Sequence, residues 1–457
     1  MGINGWSALV LALCLLQGCG PGTEPSMPQS AAPAAPVAQP PVEPVEAPLA
    51  ETPQTTPAPP SPNEISILPG ADAQTAIQEA LILAKPGSVV QLEEGVYDLE
   101  LGLSLDVEGV TIRGRGMDKT VLDFKQQVAG SEGLFVTSKN VVLEDFAVVD
   151  TKGNGIKSQG SDNIVIRRVR AEWTGGPKET NGAYGIYPVS SANVLVEDCV
   201  AIAGSDSGIY VGQSKNVIVR RCRAEYNVAG IEIENCHGAD VYECTATNNT
   251  GGILVFDLPD LPQQRGHDIR LLDNKVFANN TPNFAPKGNI VATVPTGTGV
   301  MVMANSNVEV FNNEIRDHDT ANMLIVSYQS TLIEIKDPNY YPYAEAIHIH
   351  DNSFGASGAK PGGERGELIA ALAGSPLPDI VWDGIVNPAK LVDGKLPPEA
   401  GLYIRNNTDS QGEVTFVSLG GAAVLPDPTG AVVKRDLSEH SGELPALKPI
   451  EIPVTQR

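Results

Sequence analysis

The sequence predicts an all-β protein: a single-stranded parallel β-helix closed at its N-terminal end by one capping helix. Three observations carry this. First, one phrase recurs as GIYPVSSANVLVEDC from Gly185, GIYVGQSKNVIVRRC from Gly208, GIEIENCHGADVYEC from Gly230 and GILVFD from Gly252. The glycines step by 23, 22 and 22 residues, and a period this short written in Val and Ile marks stacked β coils. Second, Gly133, Gly155, Gly185, Gly208, Gly230, Gly252 and Gly299 each open a coil. An Asn follows eight residues after most of them, at Asn163, Asn193, Asn216 and Asn307. Third, six residues beyond that Asn lies an inward position. It reads Phe146, Val169, Cys199, Cys222, Cys244, Asn274, Asn313, Asn352 and Asn407 down the stack.

In chain order, residues 1–18 read as an export signal. Its apolar run, Ser7 to Leu16, is too short to span a bilayer, and it ends in Leu16-Gln17-Gly18-Cys19. Residues 19–63 form a tether, holding 14 of the 36 prolines between Gly20 and Asn63. Such a composition cannot bury enough apolar surface to fold. The folded part is expected over 64–425, with a polar tail over 426–457. Glu64 to Leu68 reads as a strand. Asp72 to Ala84 carries Ala73, Ala76, Ile77, Ala80, Leu81 and Ala84 at helical spacing before Pro86-Gly87, so one helix caps the open end of the solenoid. Coils begin at Ser88. Trp173–Ala183, Leu258–His267 and Ala278–Thr298 interrupt the rhythm as loops on one face. Gly355 to Pro398 reads mostly as loop.

The columns divide the side chains by role. Cys199, Cys222 and Cys244 sit on successive rungs ~4.8 Å apart, farther than the ~3.8 Å Cβ separation of a disulfide. They are expected to be buried free thiols, with Cys236 in a second column shared with Ser161, Ser191 and Ser214. Asn274 to Asn407 reads as an asparagine ladder. Glu144-Asp145, Arg167-Arg168, Glu197-Asp198 and Arg220-Arg221 alternate in sign on consecutive rungs, a structural ion-pair column that fixes register.

Charge bounds the function. A net charge of −24 from 31 basic and 55 acidic residues argues against nucleic acid and makes an anionic glycan an awkward ligand. P-loop, HExxH, CxxCH and GxSxG patterns are absent, and no cofactor is expected.

On the first strand of each coil, Ile209, Ile231 and Ile253 point inward, so the alternate residues form an exposed face. Tyr187, Tyr210, Glu232, Leu254 and Met301 form one column there, and Val189, Gly212, Glu234, Phe256 and Met303 its neighbour. Glu232 and Glu234 lie ~6.6 Å apart along the strand, within the range of glycosidase carboxylate pairs. They are the catalytic candidates. Tyr187, Tyr210 and Phe256 are placed to stack on a sugar ring, and Asp257 and Trp173 complete the substrate-binding set. Met301, Met303, His348 and His350 form a candidate soft-ligand metal set suited to copper.

Ser88 to Gly116 resembles the opening coils of pectate-lyase-like right-handed β-helices, down to Gly95-Val96-Tyr97 and Arg113-Gly114-Arg115-Gly116. From about Gly133 to Tyr328 the chain resembles a group of bacterial parallel β-helix repeat proteins. The stretches are NGAYGIYPV, SGIYVGQSKN, AGIEIEN, NNTGGILVFDLPDLPQ, NTPNFAPKGNIVATVPTGTGV and NNEI. That resemblance implies a right-handed, pectin-lyase-like fold, a cell-envelope location and a c-type cytochrome partner. More distantly, the chain is similar to the carbohydrate-binding and sugar-hydrolase superfamily. That superfamily includes pectinases, alginate epimerases and the copper-maturation protein of nitrous oxide reductase. The epimerase run Asp-Pro-His-Asp is Tyr187-Pro188-Val189-Ser190 here, and Ser205-Asp206-Ser207 lacks the paired aspartates of polygalacturonases. Leu16 to Cys19 resembles a lipoprotein box, implying lipidation of Cys19. Gly20, in place of a retaining Asp, implies the outer membrane facing the periplasm. Three functions stay open: a tethered β-helix that binds a polysaccharide or envelope partner, a polysaccharide lyase, hydrolase or epimerase, and a periplasmic metal or cytochrome accessory protein.

Overall fold

The computed structural model describes residues 63–422 and 432–453; the signal, Cys19 and most of the tether lie outside them. The repeat folds into three parallel sheets. Sheet A has 12 strands, from Glu64–Ile67 to Leu402–Arg405, and sheet B has 11, from Gly95–Asp98 to Thr408–Asp409. Sheet C also has 11, from Leu101–Leu105 to Phe416–Ser418. One coil runs through Tyr184–Val189 in C, Ala192–Glu197 in A and Val200–Ile202 in B, then returns to C at Ser207–Gly212. Among the described residues every strand pair is parallel and joins neighbouring coils, as at Ile209↔Ile231 and Ile231↔Ile253.

Corners set the period. After each sheet-A strand from Val142–Glu144 onward one residue turns the chain with positive φ, including Asp145, Asp198, Asp273, Asn312 and Asp351. Asp and Asn tolerate the left-handed region better than other side chains, which explains their recurrence there. Arg168 and Arg221 occupy the same corner, each compensated by a carboxylate one rung below. Arg168 bonds Asp145, and Arg221 bonds Asp198 at 2.8 Å. Glu144 accepts from both Arg113 and Arg167, so the alternating column is an ion-pair column as expected. Asn140, Asn163, Asn193 and Asn216, at the starts of successive sheet-A strands, form an outer ladder, each after the first donating to the Asn one rung below.

Inside, Ile, Val and Leu from all three sheets make one continuous core. Cys199, Cys222, Cys236 and Cys244 are buried free thiols within it. The inner ladder forms as predicted: Asn274, Asn313, Asn352 and Asn407 pass amide hydrogen bonds of 2.9 Å from rung to rung. A second internal ladder escaped the sequence reading. Asn227, Asn249 and Asn279 stack at another corner and end on His318.

Helix α1, Ala73–Leu83, caps the first coil with Ile77 and Leu81 buried. Gly355–Pro398 is mostly loop, as expected, but not wholly. It contains helix α2, Gly363–Ala373, and the sheet-C strand Ile380–Trp382. Gly positions flank α2 and no side chain caps its start, so the usual boundary signals are missing. The C-terminal segment is also more than a tail. It straps back across sheet A, where Leu447 N–H donates to Glu309 Oε2 (3.0 Å) and Ile450 N–H to Asp240 Oδ2 (2.9 Å).

Candidate functional site

The outward column of sheet C is where sequence and structure diverge most usefully. In register it reads Ser104, Phe135, Lys157, Tyr187, Tyr210, Glu232, Leu254, Met301, Leu324, Val381 and Val417. Its first part is polar and aromatic, and its second part is apolar. Over the apolar part the interrupting loops and α2 build a second core, containing Leu254, Phe256, Val291, Met301, Met303 and Leu324. The expectation of an open strand face is therefore corrected. Apolar side chains on that face would be costly in water, and the inserted segments cover them.

The covering changes the standing of several candidates. Phe256 is 1% exposed and packs in the second core, so it offers no face to a sugar. Trp173 is buried, its indole N–H donating to the Thr151 carbonyl at 2.7 Å, so it anchors the first interruption. Met301 and Met303 lie in the second core on sheet C, whereas His348 and His350 belong to sheet A. The two pairs project from different sheets, so no ion is shared between them, and that copper set is overturned. Asp257 is buried, with Gly266 N–H donating to Oδ1 at 2.7 Å.

Glu232 and Glu234 lie at the changeover between the two halves, 1% and 6% exposed. Tyr210 donates its hydroxyl proton to Glu234, and Ser207 Oγ contacts Glu232 Oε2. Ser207 Oγ also lies 3.1 Å from Asp206 Oδ1, and Asn289 from the third interruption donates to Asp206 Oδ2 at 3.0 Å. A serine hydroxyl carries one proton, so it cannot donate to both carboxylates. A protonated Glu232 that donates to Ser207, with Ser207 donating to Asp206, satisfies both contacts.

Electrostatics favours the same arrangement. Among the described residues, Asp206, Glu232, Glu234 and Asp257 take part in no ion pair with Lys, Arg or His within 4 Å. Burial pushes Glu232 well above the carboxylate range, and the Glu234 and Asp206 charges push it further. Glu234 rises to about 7, first through burial and then through the charges of Asp206 and Asp257, against the Tyr210 hydrogen bond. Burial raises Asp206 to about 6 against hydrogen bonds from Ser207, Asn289 and Tyr184, and it raises Asp257 to about 6. Desolvation dominates every one of these shifts.

Beside the cluster the face opens. Tyr184, Tyr187 and Tyr210 pack with ring centroids 4.5, 4.6 and 5.0 Å apart; Tyr210, expected to stack on a sugar, is instead buried against Glu234, and Tyr184 and Tyr187 are only half-buried. Lys157 lies over Phe135 and Tyr187, 5.6 and 5.3 Å from their centroids. Sequence reasoning missed Tyr184 and Asp206. Asp206 lacks a second aspartate in its motif, and Glu232 and Glu234 are brought beside it from the next coil.

Residues 108–260 match the family model described as right handed beta helix region. No curated protein matches the sequence. Among solved structures, the chain is similar to the mannuronan C-5 epimerase A-module of Azotobacter vinelandii. The identity is 17% over 74% of this chain and 91% of that one, with a TM-score of 0.48. It is also similar to the catalytic unit of an α-1,3-glucanase from Streptomyces thermodiastaticus, at 14% identity over 80% and 58% of the two chains (TM-score 0.48). An alginate lyase from Paenibacillus sp. shares 12% identity over 77% and 97% (TM-score 0.37). The family-model match over residues 108–260 and the coil order above agree on the fold: this chain is a right-handed parallel β-helix.

Proposed function

We propose that this protein is a β-helix of the cell envelope, tethered through a lipid on Cys19, that binds a neutral polysaccharide along the open half of sheet C. The observation that carries the reading is the changeover at Glu232. The covering layer stops there, leaving Phe135, Lys157, Tyr184 and Tyr187 half-open beside a hydrogen-bonding carboxyl cluster. Aromatic faces supply apolar contact for the C–H faces of a sugar, and the buried carboxyls behind them fix the strip through the Tyr210–Glu234 hydrogen bond. A polyuronate meets a chain of net charge −24 and acidic groups at the site, with Lys157 the cation over the aromatic strip. The neutral glycan is thus the better electrostatic fit.

A second reading is acid–base chemistry on the glycan. The Glu232–Ser207–Asp206 contacts favour it, because they can hold and pass a proton,. A glycan array with mass detection of products separates the two. Retention of neutral glycans at unchanged mass, lost in Tyr187→Ala, is the expected result. Turnover that disappears in Glu232→Gln establishes the second reading instead, and the absence of any retained or converted glycan overturns both.

A further inference from the structure

On the opposite side of the coil from the tyrosines, sheet A carries an outward column of its own. Asp240, Arg270, Glu309 and His348 follow one another in register. Arg270 and Asp240 form an ion pair at 3.2 Å, and the C-terminal strap is pinned to Asp240 and Glu309. The last member of the column has no such structural account. His348 is 7% exposed, and neither ring nitrogen has a hydrogen-bond partner. A buried imidazole left unpaired keeps its full desolvation cost, so its retention calls for a partner. Two residues on, His350 places Nε2 3.2 Å from Glu309 Oε1.

From this geometry we propose that Glu309, His348 and His350 bind a divalent first-row transition cation beneath the C-terminal strap. One ligand atom from each residue lies within 4.8 Å of the other two. Glu309 Oε1 and His350 Nε2 are already spaced like one edge of a coordination tetrahedron, which is about 3.3 Å for arms of ~2.0–2.1 Å. Glu309 Oε2 is occupied by the Leu447 N–H, which leaves Oε1 as the metal-facing oxygen. His350 is also held as metal-bound histidines commonly are. Its Nδ1 lies 2.7 Å from Asp351 Oδ2, a carboxylate–histidine contact that fixes the tautomer and leaves Nε2 free to ligate. Phe311 stacks on the same ring with centroids 5.2 Å apart, which limits its rotation.

The site is neither filled nor sealed by protein. A cavity of about 250 Å³ adjoins Glu309 and His348, lined also by Asn307, Glu399, Leu444 and Pro445. Three protein ligands beside a cavity leave a coordination position for water or a small ligand, unlike the four-ligand set of a closed structural site. Imidazole and carboxylate donors without thiolate suit Zn(II), Co(II), Fe(II) or Ni(II). The neighbouring cations are engaged elsewhere, Arg270 by Asp240 and Arg405 by Glu443 of the strap.

The test uses the full chain without a histidine tag, stripped with EDTA and titrated with Co(II). One equivalent retained through gel filtration, with the d–d absorption of a low-coordinate ion, is expected. His350→Ala and His348→Gln should each abolish that absorption while the far-UV circular dichroism stays that of the wild type. Asp351→Asn, which leaves all three ligands in place, should weaken binding about 10–100-fold. Substoichiometric cobalt overturns the assignment, as does cobalt absorption that survives both histidine substitutions.

Discussion

Replacing Glu234 by Gln removes one ionisable proton from the carboxyl cluster while keeping an oxygen that accepts from Tyr210. In the fold, Glu234 titrates at about 7 rather than 4.5 because it is buried beside other acids. Each tenfold change in proton affinity is worth ~1.4 kcal/mol, so ionising this carboxyl inside the fold costs about 3 kcal/mol, an order-of-magnitude figure. The sign follows from linkage. With the folded midpoint above the unfolded one, the native state holds the extra proton between about pH 4.5 and 7. The stabilising share is therefore complete below that window and lost as pH rises through it. Urea unfolding of wild type and Glu234→Gln, followed by far-UV circular dichroism at about pH 4.5, 6, 7 and 8, reads this directly. The variant should gain about 3 kcal/mol relative to wild type from the acid to the alkaline end. The shared contributions of Asp206 and Asp257 cancel in the difference to first order. A difference that is flat with pH, or that moves the other way, refutes the burial argument.

The inner ladder should be costly to break. Asn313 donates to the Leu271 carbonyl and to Asn352 and accepts twice from Asn274. Asn313→Ala strands these buried partners and should lower stability by about 3 kcal/mol or more, seen as a lower urea midpoint. Cys199, Cys222, Cys236 and Cys244 should all alkylate under denaturing, non-reducing conditions and resist reagent in the native state, because each is buried,. Mass spectrometry showing a disulfide between any two of them contradicts the rung geometry. Tyr187→Ala should weaken glycan binding about tenfold through loss of one aromatic face, measured by affinity electrophoresis.

Much of the fold was legible because a solenoid writes its structure into columns. The inward Cys–Asn column, the Glu-Asp/Arg-Arg alternation and the capping helix follow from spacing alone, and the structure contains all three. What covers a face is a tertiary matter, and here the reading failed. Alternation says that Phe256 and Met303 point away from the coil interior, and they do. It carries no information that the segment around Val291 and helix α2 will close over them. The candidate site divides along the same line. Glu232, Glu234, Tyr187 and Tyr210 are neighbours by register, which sequence supplies. Asp206 enters through the turn before the strand, Ser207 as the strand's first residue, and Asn289 reaches Asp206 from 83 residues away. His348 and His350 were legible as a pair. Glu309, on the previous rung, became visible as their companion only once the register His348↔Glu309 was known.

The central claim is that the half-open tyrosine strip next to a carboxyl cluster selects an uncharged glycan. Isothermal titration of the full chain with a neutral oligosaccharide and a uronate oligomer of matched length and linkage, at low ionic strength, tests it most directly. The neutral ligand should bind at least about tenfold more tightly, a gap that narrows as salt screens the site. Tighter binding of the uronate, or equal binding of both ligands by wild type and Tyr187→Ala, would contradict it.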